Sequence, residues 1–158
     1  MRVGLGYDIH RLVEGRPLFL GGVEIPYVKG LDGYSDADVL LHAVCDAILG
    51  AVGKDDIGVH FPNTDPSFKG ISSLELLRRV VRMARNGGFK IVNIDSTLII
   101  EEPKLLPFKD KMKISISSCA GIPDNCVNIK ATTQEGVGAL GRGEAIAAYA
   151  VVLVEEAQ

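Results

Sequence analysis

Asp8 and His10 stand two residues apart in the apolar stretch GLGYDIHRL, in a chain with three histidines, His10, His42 and His60. On a strand that spacing points both side chains to one face, where a carboxylate beside an imidazole makes a two-ligand clamp for a divalent ion. His42 offers a third ligand. It lies in SDADVLLHAVCDAILGA, where Val39, Leu40, Ala43, Val44, Ala47, Ile48 and Ala51 recur at helical spacing. Asp38 and Asp46 sit one turn before and one turn after it. A carboxylate beside a histidine can hold its free N–H and so fix the nitrogen that faces a metal; Asp38 and Asp46 are expected to do this for His42. Two nitrogens and one oxygen leave the fourth position of a tetrahedral zinc open, as in catalytic sites. Each histidine taken alone reads as an ordinary core or surface residue, and the combination is what favours a metal. His60, in a loop, keeps the ordinary reading.

A second cluster closes a later strand. Lys130-Ala131-Thr132-Thr133-Gln134-Glu135 ends in two hydroxyls, which suit phosphate, and a carboxylate, Glu135, which suits a second, harder cation. A polar strand end that merely caps a turn is the plainer alternative. Gly136-Val137-Gly138-Ala139-Leu140-Gly141 matches G-x-G-x-x-G, yet too little chain follows for a helix and a returning parallel strand, so a dinucleotide fold is rejected. The glycines instead allow tight turns near an anion, with Arg142 between Gly141 and Gly143.

The elements that must position these groups follow from the pattern. Residues 2–10 read as a strand and 18–25 as a hairpin turned at Gly21-Gly22. Residues 27–38 read as a loop, with Ser35-Asp36-Ala37-Asp38 as a capping box for a helix over 37–52. Residues 54–70 read as one long loop, and Ser72-Ser73-Leu74-Glu75 as the cap of a helix over 73–86 that stops at Gly87-Gly88. A strand over 89–101, a helix over 108–120, a strand over 126–133 and a last strand over 144–155 complete the chain. The last strand is apolar on both faces, so one face needs cover from outside the chain. The expectation is a single α+β domain over residues 1–158, a mixed β-sheet with helices packed on one face and the other face turned toward the centre of a trimer.

Composition narrows the function classes. The 158 residues carry a net charge of −3 with a pI near 5.6 and no basic run, which disfavours nucleic acid and anionic membranes as partners. The longest apolar run, AIAAYAVVLV, is far short of a spanning helix, and the N-terminus lacks the features of a signal peptide. Three cysteines without CxxC spacing fit a reduced, cytoplasmic protein.

GYDIH, SDADVLLHA, DIG followed by FPNTDP, EEPKLLP, KATT followed by Glu135, and GRGE occur in this order along the chain. In these blocks the sequence resembles the 2-C-methyl-D-erythritol 2,4-cyclodiphosphate synthase family of the non-mevalonate isoprenoid pathway, from Met1 to the last strand. The resemblance implies a zinc ion on Asp8, His10 and His42, and a magnesium or manganese ion on Glu135 that bridges a diphosphate. It implies a homotrimer whose active sites lie between subunits and which converts 4-diphosphocytidyl-2-C-methyl-D-erythritol 2-phosphate to the cyclic diphosphate and CMP. Asp56, Gly58, Phe61, Asn63, Thr64 and Asp65 would then hold the erythritol part, with Ser35, Ile57 and Pro62 also binding substrate. Ile100, Glu101, Glu102, Pro103, Lys104, Leu105 and Leu106 would form the cytosine pocket, with Ala131, Thr132 and Thr133 beside it and Gln134 adjoining. Thr133 and Tyr34 would be the catalytic hydrogen-bond donors to the phosphoryl oxygens. Ala139 and Arg142 would lie toward a central cavity, where a phosphate-bearing ligand could bind.

Four positions depart from the family pattern. Tyr34 stands where histidine is common, Asn63 where aspartate is usual, Gln134 for a common threonine, and Ala139 at a place often aromatic. Tyrosine donates a hydrogen bond to phosphate but brings no cation. Two rival classes remain in view. A zinc-dependent metallophosphoesterase also begins with Asp-x-His on a strand, but its GDxxD and GNH[ED] blocks are missing. A zinc-structured, non-catalytic binding trimer would not need the phosphate-facing loops.

Overall fold

The computed structural model describes residues 1–157; the expected domain's last residue, Gln158, lies outside them. Two long strands, β1 (Arg2–Glu14) and β7 (Ala145–Glu156), run antiparallel, with Asp8 opposite Ala148 and His10 opposite Ile146. With β4 (Lys29–Leu31), β5 (Phe89–Ile99) and β6 (Val127–Thr132) they form a five-stranded sheet in the order β4–β1–β7–β5–β6. β5 and β6 pair in parallel and the other neighbours antiparallel, so the sheet is mixed. A separate hairpin joins β2 (Leu18–Leu20) to β3 (Val23–Ile25). It turns at Gly21 and Gly22, both at positive φ, as a two-residue hairpin turn requires.

Helices α1 (Val39–Ala51), α3 (Ser73–Asn86) and α4 (Lys109–Ala120) cover one face. α1 lies on β1 and β7, α3 packs on α1 and β5, and α4 packs on α3 and β6. Sandwiched in this way, α1 buries Leu40, Leu41, Ile48 and Leu49 completely. Its closeness to β1 depends on two glycines. A Cβ on Gly6 would stand 1.9 Å from the Ala43 carbonyl oxygen, and one on Gly4 1.9 Å from that of Ala47. Only glycine lets the helix backbone rest directly on the strand, and this contact sets His42, the neighbour of Ala43, above Asp8 and His10.

The opposite face is bare. Ile146, Ala148, Ala150, Val152 and Val154 of β7 are buried under the helices, but Val3 and Leu5 are 65% and 66% exposed, and Tyr7, Ile9, Tyr149 and Val151 join them. A contiguous apolar patch of this kind marks an interaction surface. The chain is thus a single-domain α+β fold with helices on one side of a mixed sheet.

Several local expectations change. α1 begins at Val39 rather than at 37, because Ala37 has φ +57° and cannot join a helix. The cap is Asp38, which accepts from the Leu41 N–H at 3.1 Å, and Ser35 is no part of it. Ser72 does occupy the N-cap of α3, but its hydroxyl makes no capping bond, and Glu75 pairs with Arg78 and Arg79 instead. The loop over 27–38 contains β4. The segment over 54–70 is partly helical: Asp56 caps α2 (Ile57–His60), and Asp65 caps a 3-10 turn at Pro66–Phe68. β1 continues to Glu14, past the expected end at His10. The glycine-rich connection over 134–144, in which a short helical turn is expected, does contain one, α5 (Gly138–Gly141).

Candidate active site

Asp8 and His10 project from β1 toward α1, and His42 descends from α1 to meet them. Asp8 Oδ2 lies 3.0 Å from His10 Nε2 and 2.9 Å from His42 Nδ1, and the two nitrogens are 3.3 Å apart. A tetrahedral ion with bonds of about 2.0 Å separates its ligands by about 3.3 Å, so these atoms stand close to the spacing that such an ion needs. Among the described residues this is the one cluster of three or more such side chains able to hold a metal. Burial alone would push the Asp8 carboxyl up, but the adjoining imidazoles of His10 and His42 outweigh it and hold Asp8 well below the usual carboxylate range. At His10 burial pulls the other way, and the Asp8 carboxylate more than offsets it, raising the imidazole.

Both imidazoles have a second partner that sets the ring. His10 Nδ1 donates to the Asp32 carbonyl, leaving Nε2 for the ion. His42 Nε2 faces the Ser73 hydroxyl at 2.9 Å and that of Ser35 at 3.2 Å. The carboxylates expected there are engaged elsewhere, which corrects the sequence reading. Asp38 is wholly buried and accepts from the backbone N–H groups of Gly21, Gly22 and Leu41 at 3.0, 2.7 and 3.1 Å, tying α1 to the hairpin turn. Asp46 accepts from Ile57 N–H at 2.8 Å and anchors the start of α2. Helical spacing put them near His42 along the helix. Their capping and bridging bonds occupy both carboxylates, and neither hydrogen-bonds to its ring.

The cluster opens into a cleft of about 440 Å³, lined by Tyr34, Ser35, Ile57, Gly58, Phe61 and Asn63 from the expected set. Gly33, Phe68, Ile71 and Leu76 also line it, and sequence reasoning missed them. The Phe61 and Phe68 rings meet edge to face with centroids 5.5 Å apart, which builds the apolar wall. Tyr34 donates from its hydroxyl to the Asp65 carbonyl at 3.2 Å, joining the two loops that flank the cleft. Asp56, Pro62, Thr64 and Asp65 do not line it; the carboxylates of Asp56 and Asp65 serve their own turns, accepting from Gly58 and Ser67 N–H at 2.9 Å each.

A smaller cleft, of about 130 Å³, forms where the parallel pair β5 and β6 ends side by side, with Ile99 opposite Thr132. Ile100, Glu101, Pro103, Lys104, Leu105, Ala131, Thr132 and Thr133 line it. Glu101 accepts from the Gln134 N–H at 2.7 Å, and Thr133 donates its hydroxyl to Glu135 at 2.9 Å. Glu135, Ala139 and Leu106 are exposed beyond its walls. Glu102 and Arg142 instead share a third hollow with Tyr27 and Lys29, and Arg142 Nε pairs with the exposed Glu144 at 2.6 Å. The metal-side and strand-end clefts have no residue in common.

Ser73 is the functional candidate that the sequence concealed. It sits 31 residues from His42, and its place in Ser72-Ser73-Leu74-Glu75 suggests a helix cap. The usable signal was a second serine beside the first, free of capping duty.

The YgbB family model matches residues 1–155 of this chain. A 2-C-methyl-D-erythritol 2,4-cyclodiphosphate synthase from Syntrophobacter fumaroxidans (strain DSM 10017 / MPOB) is 58% identical over 154 residues, covering 98% of this chain and 97% of that protein. Among solved structures, a 2C-methyl-D-erythritol-2,4-cyclodiphosphate synthase in a CDP-bound form matches with a TM-score of 0.90 at 38% identity, over 98% of this chain and 100% of that one. The bifunctional IspDF from Campylobacter jejuni matches with a TM-score of 0.94 at 41% identity; 98% of this chain is covered but only 42% of that longer one.

Proposed function

Because the chain belongs to the YgbB family, we propose that it works as a cyclodiphosphate synthase of isoprenoid precursor biosynthesis, converting 4-diphosphocytidyl-2-C-methyl-D-erythritol 2-phosphate to 2-C-methyl-D-erythritol 2,4-cyclodiphosphate with release of CMP. The observation that carries this reading is the convergence of Asp8, His10 and His42 at the head of a cleft walled by Tyr34, Ser35 and Asn63.

The reaction needs no protein nucleophile. The substrate's 2-phosphate is largely dianionic near neutral pH, and one of its oxygens attacks the β-phosphorus of the same molecule. A P–O bond forms there as the bond to the bridging oxygen breaks, and that oxygen leaves with CMP and the electron pair. Asp8, His10 and His42 would hold zinc, for which two imidazoles and a carboxylate are a suitable set; Glu135, an exposed single carboxylate, suits a magnesium or manganese ion completed by water and substrate phosphates. When bound, these ions supply polarisation of phosphorus and neutralisation of the diphosphate charge. Tyr34 and Thr133 donate hydrogen bonds to the phosphoryl oxygens as charge shifts between them. Ser35, Asn63 and the backbone at Gly58 orient the erythritol hydroxyls, with Asp56, Ile57, Phe61, Pro62, Thr64 and Asp65 shaping that end. The segment from Ile100 to Leu106, with Ala131, Thr132 and Gln134, presents backbone groups to the cytosine edge. Holding both ends of a flexible chain removes much of the entropic cost of ring closure.

The assembly we propose is a homotrimer. The bare apolar face of β1 and β7 supports it, and so does the division of the expected residues between two clefts. The metal side of one subunit would face the cytidine side of its neighbour. The whole chain would act as one catalytic domain, with a phosphate-bearing ligand near Arg142 in the central cavity. Among the described residues no helix is long and apolar enough to cross a membrane, and a cytoplasmic enzyme without nucleic-acid partners is the reading we adopt. The test couples bound-metal analysis with CMP release: about one zinc per chain, and one CMP for each cyclic product, are expected. A zinc-loaded protein that releases no CMP, or yields an open-chain monophosphate, would sink the proposal.

A further inference from the structure

We infer that Ser73 and Asp36 form a positioning relay that selects the tautomer of His42 and aims its Nδ1 at the ion. The inference rests on the proposed role of His42 as a metal ligand and deepens it. Ser73 is fully buried at the first position of α3. Its hydroxyl lies 2.9 Å from His42 Nε2 and donates in a short hydrogen bond to Asp36 Oδ1, while its own N–H donates to Asp36 Oδ2 at 2.9 Å. Asp36 is held in turn by the Asp38 N–H at 3.2 Å and, through its own N–H, by the Ile71 carbonyl at 3.1 Å.

Counting donors and acceptors fixes the direction of this chain. A hydroxyl has one hydrogen to give. Facing a carboxylate, which only accepts, Ser73 must give that hydrogen to Asp36. It can then only accept from His42, so Nε2 carries the ring proton and Nδ1 keeps its lone pair toward Asp8 and His10. The opposite order would set a hydroxyl lone pair against the Asp36 carboxylate and point a ring N–H into the ligand cluster. Ser35 lies farther from Nε2, at 3.2 Å, and its oxygen accepts from the Ala37 N–H at 3.0 Å with no carboxylate beside it to orient its hydrogen. The negative charge of Asp36, passed through one hydroxyl, thus sets the ligand form of a histidine on another helix. Outer partners of this kind govern metal affinity by about 10–100-fold.

The test uses the full-length protein, stripped of metal and titrated with zinc against a fluorescent chelator; cobalt is titrated in parallel for its visible absorption. Ser73→Ala should weaken zinc about 10–100-fold and alter the cobalt spectrum. Ser73→Thr, which keeps the hydroxyl, should return both toward the parent values. Asp36→Asn, which keeps the shape but not the charge, should fall between. Parental affinity and spectrum in a folded Ser73→Ala protein overturn the relay, and so does an equal loss in Ser73→Thr. Should Ser73→Ala not fold, Asp36→Asn decides, and parental zinc affinity in it has the same meaning. A parent protein that binds no zinc overturns both the relay and the metal reading beneath it, whereas tight parental binding with indifferent variants removes the relay alone.

Discussion

The metal side and the strand-end side of this molecule are built on opposite terms. Asp8, His10 and His42 stand on the longest strand and the most deeply buried helix, held by backbone packing so close that only glycine fits at Gly4 and Gly6. Outer partners hold both imidazole rings. Thr133 and Glu135 sit in a turn after β6, where the hydroxyl bonds the carboxylate and the carboxylate is exposed. The first side is finished within one chain. The second has spent its polar groups on itself and opens on a small cleft with no residue of the first. Coordination demands fixed ligand geometry, which core packing supplies. A nucleotide-binding role, as proposed, demands hydrogen bonds that can be exchanged, and a strand-end loop suits it.

The largest effect should come from breaking the finished side. His42→Ala should lose nearly all bound zinc and at least about 10³-fold in kcat, the several kcal/mol that a catalytic ion contributes, with the circular dichroism spectrum kept because the rest of α1 holds the fold. Retained zinc at parental stoichiometry would show that the ligands are assigned wrongly. The division between chains can be tested by refolding His42→Ala together with a Thr133→Ala/Glu135→Ala protein in equal amounts. If the two sides meet across a closed ring, about one interface in four joins intact partners, so about a quarter of parental activity should return from two inactive proteins. Mixed trimers seen by mass spectrometry without activity would refute the shared site.

Gly6→Ala should cost about 3 kcal/mol in denaturant unfolding, since α1 must lift off β1 to admit the methyl group, and should weaken zinc binding along with stability. Unchanged stability would mean that the close approach is not what seats His42. Thr133→Ala should lower kcat about 10²-fold through one lost donor while zinc affinity stays parental; a fall in zinc content would erase the contrast between the sides. The smallest effect concerns Asp95, in the middle of β5 opposite Asn128. The hydrogen bond from Lys130, aided by Asn128, holds its pKa below the ordinary carboxylate value. A depressed carboxyl stabilises the fold above its unfolded pKa and loses that contribution as pH falls through the folded value. The pair is exposed, so Asp95→Asn should cost less than about 0.5 kcal/mol near neutral pH and nothing in strong acid. A larger loss in acid than at neutrality would reverse the sign argued here.

Much of this was legible in local pattern. Asp8 and His10 share a face because strand side chains repeat every two residues, and α1 was visible from its apolar spacing. The same local logic misassigned Asp38 and Asp46. Spacing along a helix says which residues are neighbours, but not that Asp38 would turn to Gly21 and Gly22 or Asp46 to Ile57. Ala37 interrupted the expected cap because a left-handed residue there is a requirement of the incoming loop, not of its own side chain.

The sequence by itself determined the donor types, the order of the long strands and helices, the two-faced apolar character of β7 and the blocks that carry the family resemblance, since each is a property of residues near one another in the chain. Tertiary structure alone decided that α1 rests on glycines of β1, that His42 therefore meets Asp8 within 2.9 Å, and that a serine opening α3 rather than a neighbouring aspartate orients its ring. Such contacts join segments that no periodicity relates, and they follow from how backbones pack once the hydrophobic faces of strand and helix have closed on each other.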